Sequence, residues 1–476
     1  MMTLADLYTL LPLIVVGSTA VVAMLVIAWR RHHAGTALIA GAGLVLALLL
    51  LPVASTGSPP LMQVDGLAQM ASTLVLLSAL VTVILSHHYL TGYIGPREEF
   101  YLLLLCATAG ALGLVASDHL AMLFISLELL SMPLYGMLAY SFRAERSLEA
   151  GIKYLLLSAA ATAFLLFGIA LIYARTGHLD LTGIAVALAE SPDAWMLAGA
   201  ALMIVGLGFK LSVVPFHLWT PDVYQGGPAP ATIYLATVSK LAVFVVLLRL
   251  VLAAPVFQAD WLQTLVTVLA LLTMLGGNLL ALFQANLKRL LGYSSIAHFG
   301  YLLVAIAVGN ALAIETTGVY LVTYLVTTLA AFGVVTLVSS PFGGEDAPIW
   351  AHRLPSLLGT LFTIGLVAWF GARIGGAPAG FAAGVLLALS ISASVDARMA
   401  KTDAMLMAVT ALSMVSLYFI MVRDKAERIS FRGAPLAFWA ATGAGLLIKG
   451  PIILFVSLPA MLVLALWRRD LSFVKR

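Results

Sequence analysis

One cysteine, Cys106, stands in 476 residues, and charged side chains make up only 10% of them. The lone thiol excludes intramolecular disulfides and any cysteine-held zinc or iron–sulfur centre. So little charge, beside 62% hydrophobic residues and a mean hydropathy of +1.07, excludes a set of soluble domains, whose apolar share is nearer half. The net charge of +4 is small and sits in loops, so it bears on orientation and not on a nucleic-acid partner. No basic segment precedes the first apolar run, Thr9 to Trp29, which is itself long enough to span a bilayer. The expectation is therefore no cleavable signal peptide. His32–His33 and His87–His88 flank helices without a third ligand, which leaves no metal site.

What is present is a series of apolar runs of about 18 to 25 residues, each enough to cross a roughly 30 Å hydrocarbon core as a helix. They fall near 8–29, 36–54, 67–86, 100–116, 119–141, 152–174, 195–216, 229–254, 262–283, 290–309 and 314–338. The fold class is thus all-α, a polytopic membrane helix bundle. Loops after odd-numbered runs carry Arg30, Arg31, Arg97, Arg143, Arg146, Lys288 and Arg289, whereas those after even-numbered runs carry Asp65, Asp118, Asp260 and Glu315. By the positive-inside rule the odd loops are cytoplasmic and the N-terminus lies outside. The mixed loop 175–194 is the exception, and its LTGIAVALAE piece reads as a short interfacial helix.

The chain is organised around Met203 to Phe244, which sets Lys210 in one apolar run, Pro215 five residues on, a Gly/Pro-rich turn, and Lys240 in a second run. A lysine at membrane depth costs roughly 2.5 to 3.5 kcal/mol on insertion scales and marks a functional site by default. Run five repeats the arrangement with Glu128 and Pro133. A proline cannot donate to the carbonyl four residues back, so Pro133 and Pro215 predict broken helices with the Leu129 and Leu211 carbonyls left free. A broken helix beside a charge is the form expected of a hydrated ion site. The bland alternatives are a snorkelling ammonium for Lys210 or Lys240, a protonated or paired carboxyl for Glu128, and for His298 a neutral imidazole bonded to a hydroxyl. Lys153 reads as a boundary lysine. These residues suit proton transfer: a buried carboxylate and lysine shift each other's charge equilibrium, and water in the proline gaps would extend a path through Lys240 and His298.

The strings ISLELLSMPLYGMLAY, EAGIKYLLLSA, GLGFKLSVVPFHLWTPDVYQGGPAPATIYLATVSK and NLKRLLGYSSIAHFGYLLVA, in this order, resemble the subunit N family of bacterial proton-translocating NADH:quinone oxidoreductase (complex I). These are antiporter-like membrane subunits, and the likeness runs to about Asp346. It implies that Glu128 and Lys210 are the proton-loading pair, that Lys240 connects the half-channels, and that His298 occupies a polar position of less certain role. It implies two inverted five-helix repeats, a bacterial inner membrane location, and other complex I membrane subunits and the lipid bilayer as partners. No cofactor is implied in this chain; NADH, FMN, iron–sulfur clusters and quinone belong to other subunits.

After SSPFGGEDA the pattern departs from that family, whose second broken helix carries a Gly-Lys-Phe-type motif that is not found here. The expectation is a domain at 1–346 that stops after run eleven, followed at 347–476 by about four to five spans of different origin. The strings IWAHRLPSLLG, SVDARMAKTDAMLM and GLLIKGPIILF resemble a fragment of membrane glycosyltransferases of the protein-mannosyltransferase and aminoarabinose-transferase superfamily. The acidic catalytic pair of that superfamily lies ahead of the RLPS segment, in a region without counterpart here. Asp396, Arg398, Lys401, Asp403 and Lys449 are then remnants of a polyprenyl-phosphate site; for Lys449 a helix-end cation is the plainer reading. Continuing the loop alternation would also put the basic loop Arg423 to Arg432 outside, against the positive-inside preference. The chain reads as a composite, whether by gene fusion, assembly error or an engineered join. A polyprenyl-phosphate-sugar glycosyltransferase and a stand-alone cation/proton antiporter stand as alternative functions.

Overall fold

The computed structural model describes residues 3–93, 95–190, 193–253, 260–308, 311–339, 349–389, 403–422 and 433–449, with Ile453 and Ser457. Two compact units divide at Asp346 and Ala347.

In the first unit the apolar runs become α1 (Leu4–Thr9), α2 (Leu11–Trp29), α3 (His33–Leu50), α4 (Gly66–Thr91), α5 (Glu99–Val115), α6 (Leu120–Leu138), α7 (Glu145–Thr176) and α8 (Leu181–Glu190). There follow α9 (Ala194–Leu211), α10 (Trp219–Gly226), α11 (Ala229–Tyr234), a π-helical turn (Leu235–Ser239), α12 (Lys240–Ala253), α13 (Asp260–Leu282), α14 (Leu287–Val308) and α15 (Ala311–Val338). The ends follow local chemistry. Thr3 and Asp6 close a capping box on α1, Asp65 and Asp193 accept first-turn amides of α4 and α9, and left-handed Gly177 terminates α7. The LTGIAVALAE piece is α8. Cys106 is a half-buried free thiol.

One full-length span differs from the rest. Ala229–Val251 is 94% buried, against 17% to 56% for the other full-length spans of this unit. Its α12 part packs on α4, α5 and α9, and its α11 part on α4, α6 and α15. Lys240 therefore lies at the centre of the bundle. Around it α7 crosses α9 at close range: a Cβ on Gly206 would come within 2.7 Å of Leu165 Cβ and 3.0 Å of the Ala161 carbonyl.

The expected break at Pro133 is not observed. Pro133 lies inside continuous α6, while α9 does end at Leu211, ahead of Pro215. The difference lies in support. At Pro133, α5 presses its backbone on α6 so closely that a Cβ on Gly110 would lie 2.4 Å from the Leu130 amide nitrogen, and one missing helical bond is tolerated. At Pro215 other groups take over the freed backbone: the Val214 amide donates to Thr273 Oγ1 at 3.1 Å and the Trp219 indole donates to the Phe209 carbonyl at 3.0 Å. Ser212 caps α9 in the left-handed conformation, with φ of 63°.

Two charged clasps tie the unit together near its faces. Arg249 reaches Asp65 with two hydrogen bonds, 3.0 and 2.7 Å. Asp222 on α10 holds Lys153 of α7 at 3.0 Å and Arg289 of α14 at 2.5 Å. Burial works against the Asp222 charge, but hydrogen bonds from Arg289 and Lys153 outweigh it and hold its carboxyl below the usual carboxylate range. Asp65 behaves alike: burial opposes its charge, and Arg249 and the Ala68 amide prevail. A depressed carboxylate stabilises the fold above its unfolded value, near 4, and that stability is lost as pH falls through the lower folded value. Thermal unfolding in detergent is thus expected to be insensitive to these groups from about pH 8 to pH 5 and to weaken below about pH 4. Asp222→Asn should remove part of that decline; an identical acid profile in Asp222→Asn and Asp65→Asn would assign it to other groups.

The second unit contains α16 (Ile349–Leu389), bent at Gly376 with φ of 84°, α17 (Asp403–Val422) and α18 (Ala434–Lys449). Its core gathers Val415, Leu417, Phe419, Ile420 and Phe438. Asp403 opens α17 and Lys449 closes α18. Asp396, Arg398, Lys401 and the basic loop 423–432 lie outside the described residues, as do the further spans expected after Lys449.

Candidate functional site

Lys210 sits in the last turn of α9, just ahead of the break, and is 2% exposed. Lys240 opens α12 directly after the π turn and is 0% exposed. Both ammonium groups are enclosed within the bundle, an arrangement opposite to that of a snorkelling lysine, whose head stays in water.

Lys210 Nζ donates to Ser131 Oγ of α6 at 2.6 Å and to Ser158 Oγ of α7 at 2.7 Å. The Ser158 hydroxyl also pairs with Tyr135 Oη at 2.8 Å. The Tyr154 ring lies over the ammonium, 5.5 Å from Nζ to the ring centre, and packs on Trp219. Glu128 makes no ion pair with Lys210. Its Oε1 instead accepts from Thr162 Oγ1 at 2.9 Å, and it acts on Lys210 through space. Glu128 is half-buried, between exposed Ile125 and Leu129 on the outer face of α6. Hydroxyls thus separate the carboxylate from the lysine, where the sequence reading brought the two together directly.

Around Lys240 the partners are fewer. Nζ donates to Ser295 Oγ of α14 at 2.9 Å, and the Phe299 and Tyr224 rings lie 5.1 and 5.7 Å away. Ser295 pairs with Tyr324 Oη of α15 at 2.7 Å, and Tyr324 donates to the Ala236 carbonyl at 2.9 Å. Ala236 belongs to the π turn. π turns recur at functional positions in helices, and here one supplies the carbonyl on which the hydroxyl chain ends. An ammonium only donates, so the order is fixed: Lys240 to Ser295, Ser295 to Tyr324, Tyr324 to Ala236. The chain orients the lysine; a carbonyl at its end has no proton to pass on.

His298, also on α14, pairs through Nδ1 with Tyr320 Oη at 2.5 Å, and its ring lies 5.4 Å from that of Tyr324. This is the hydroxyl-bonded imidazole foreseen as the plainer alternative. The Tyr154 hydroxyl beside Lys210 is hydrogen-bonded to Ser239, the last residue of the π turn before Lys240, and aromatic rings stand beside both lysines. His217, in the segment between α9 and α10, is 7% exposed with neither ring nitrogen in hydrogen-bond geometry, and it faces the Pro215 carbonyl. His33 pairs with Tyr101 Oη at 2.8 Å and stacks on His87.

Sequence reasoning did not find Ser131, Ser158, Thr162, Ser295, Tyr324, Arg249 or His217.

Residues 117–378 match the family described as NADH:quinone oxidoreductase/Mrp antiporter, transmembrane. A curated relative, NADH-quinone oxidoreductase subunit N of Chromohalobacter salexigens, is 59% identical over 354 residues, covering 73% of this chain and 74% of the relative. The chain belongs to this family. The subunit N of Ectopseudomonas mendocina is 54% identical and covers 72% of each chain. Among solved structures, respiratory complex I from Thermus thermophilus with bound aureothin contains a chain similar at TM-score 0.64 and 34% identity, covering 94% of this chain and 97% of that one. A chain of an archaeal membrane-bound sulfane sulfur reductase, at TM-score 0.65 and 22% identity over 93% of this chain and 97% of that one, shares the fold.

A second family, dolichyl-phosphate-mannose-protein mannosyltransferase, matches residues 320–473. The two matches overlap over 320–378, so the antiporter family's match extends into the second unit and the mannosyltransferase match begins within the first.

Proposed function

We propose that this chain is a membrane proton-translocating subunit of NADH:quinone oxidoreductase, moving protons along Glu128, Lys210, Lys240 and His298 while quinone is reduced elsewhere in the complex. Membership of the family supports the role. The observation that carries the path is the burial of two lysines whose polar contacts are neutral hydroxyls. With no carboxylate in contact, no ion pair holds either lysine in its ammonium form. Water at the Pro215 break would bridge the two groups.

The N-terminus is assigned to the outside of a bacterial inner membrane, with neighbouring antiporter-like subunits as partners. NADH, FMN, iron–sulfur clusters and quinone are assigned to other chains. Residues 1–346 are the proton-channel domain. Residues 347–476 are a glycosyltransferase-like fragment in which Arg398, Asp403 and Lys449 are remnants, a reading supported by the second family match. As the sole subunit N, the chain is expected to pump less than a subunit that carries the family's second broken helix.

The test places Lys240→Ala in the full chain within the complex and follows NADH oxidation and proton uptake in inverted vesicles. Protons moved through this chain should fall on the order of a hundredfold, the usual worth of a positioned proton carrier, with NADH oxidation in uncoupled vesicles retained. Unchanged proton yield would remove Lys240 from the path. Cation-driven proton transport by the isolated chain in liposomes would instead favour the stand-alone antiporter.

A further inference from the structure

A cavity of about 290 Å³ opens where α7, α10 and α14 meet, lined by Arg146, Glu149, Lys153, Asp222, Gln225 and Arg289. This volume corresponds to on the order of ten waters, far more than the clasp on Asp222 requires. Three cations face two carboxylates, a net charge of one: Lys153 pairs with both Glu149 at 2.5 Å and Asp222 at 3.0 Å, and Arg289 pairs with Asp222 at 2.5 Å. Lys153 and Arg289 keep 40% and 28% of their side chains exposed even while they hold Asp222. Arg146 lies in the first turn of α7 and Lys153 in its third, and Arg289 lies in the first turn of α14.

The wall of the cavity continues down α7. Arg146, Glu149 and Lys153 form a stripe at helical spacing, and it continues through Leu157, exposed Ala160 and Phe164, the leucine 46% and the phenylalanine 49% exposed. Ile152 and Leu156 beside them are 55% and 64% exposed. A polar pocket with net positive charge near the starts of α7 and α14, above an exposed apolar track, matches a phospholipid: phosphate in the pocket, acyl chain along the helix. Basic pockets between membrane helices are established headgroup sites.

We infer that this pocket binds the phosphodiester of an anionic phospholipid, held by Arg146, Lys153 and Arg289 with an acyl chain along Leu157 and Phe164. The site is separate from the lysine path, and it stands if that path fails. Bound lipid would brace α7, which carries Ser158 and Thr162, against α14, which carries Ser295.

The test uses the full chain purified in a neutral detergent, with lipid retention read by native mass spectrometry. The probes are cardiolipin, phosphatidylglycerol, phosphatidylcholine and inorganic phosphate. Cardiolipin and phosphatidylglycerol should be retained over phosphatidylcholine. Arg146→Gln should weaken retention about fivefold, the equivalent of about 1 kcal/mol for one surface cation. Glu149→Gln, which releases Lys153 from one ion pair, should strengthen it. Equal retention of phosphatidylcholine, or no response to either variant, would overturn the inference. Inorganic phosphate displacing the lipid at equal concentration would overturn the lipid assignment in favour of a free-phosphate site.

Discussion

Lys210→Ala in the complete complex is expected to cut the protons moved through this chain on the order of a hundredfold, because it removes a positioned carrier. Uncoupled NADH oxidation should change far less. Glu128→Gln should give a similar loss with milder structural change, since the amide oxygen can still accept from Thr162. Lys210→Arg separates the possible roles. An arginine keeps the positive charge and the donors to Ser131 and Ser158 but does not release its proton in proteins. If Lys210 were only a fixed charge, arginine would restore pumping; as a carrier it should be nearly as impaired as alanine. Proton yield by dye quenching against NADH consumed decides between them. Full yield in both Lys210→Ala and Glu128→Gln would sink the assigned roles.

The largest effect on stability is expected at Arg249. Its side chain is 7% exposed and forks onto both Asp65 oxygens. It also donates to the Val115 carbonyl at 3.0 Å and the Gln63 carbonyl at 3.2 Å. Arg249→Ala leaves the Asp65 carboxylate and two carbonyls without their cation, a change that costs about 1.5 to 3 kcal/mol, less than in a fully buried pair because the Asp65 side chain is 37% exposed. Arg249→Lys should recover little, because a point charge cannot reproduce the planar fork. Asp65→Asn with Arg249→Ala should cost less than the two singles combined, since no uncompensated charge remains. Thermal unfolding in detergent reads all of these. Additive costs would mean that the pair does not act as a unit.

The helices were legible because an apolar run of bilayer length has few other readings, and the break at Pro215 was legible because proline and a Gly/Pro-rich turn coincide. The lysines stood out for the same reason: charge is conspicuous where charge is scarce. Their partners did not. Ser131 bonds the Leu127 carbonyl one turn back as well as Lys210, as Thr82 and Thr108 do on their own helices. In a linear sequence such hydroxyls look alike, and only the crossing of α6, α7 and α9 separates them. Arg249 pairs with a residue 184 positions away, a distance no periodicity encodes. Pro133 misled because the same residue type breaks a helix or rides within it according to the neighbouring backbone, and the neighbour is Gly110, on another helix.

The enclosure of Ala229–Val251 within its own bundle isolates Lys240 from the bilayer as a mechanical medium. Outer spans meet the acyl chains and adjust to a thinner or thicker membrane by tilting. This span has almost no lipid contact through which thickness could act, so the depth of Lys240 is set by protein packing. Membrane composition can tune the rim of the molecule while the level at which the central lysine sits stays fixed.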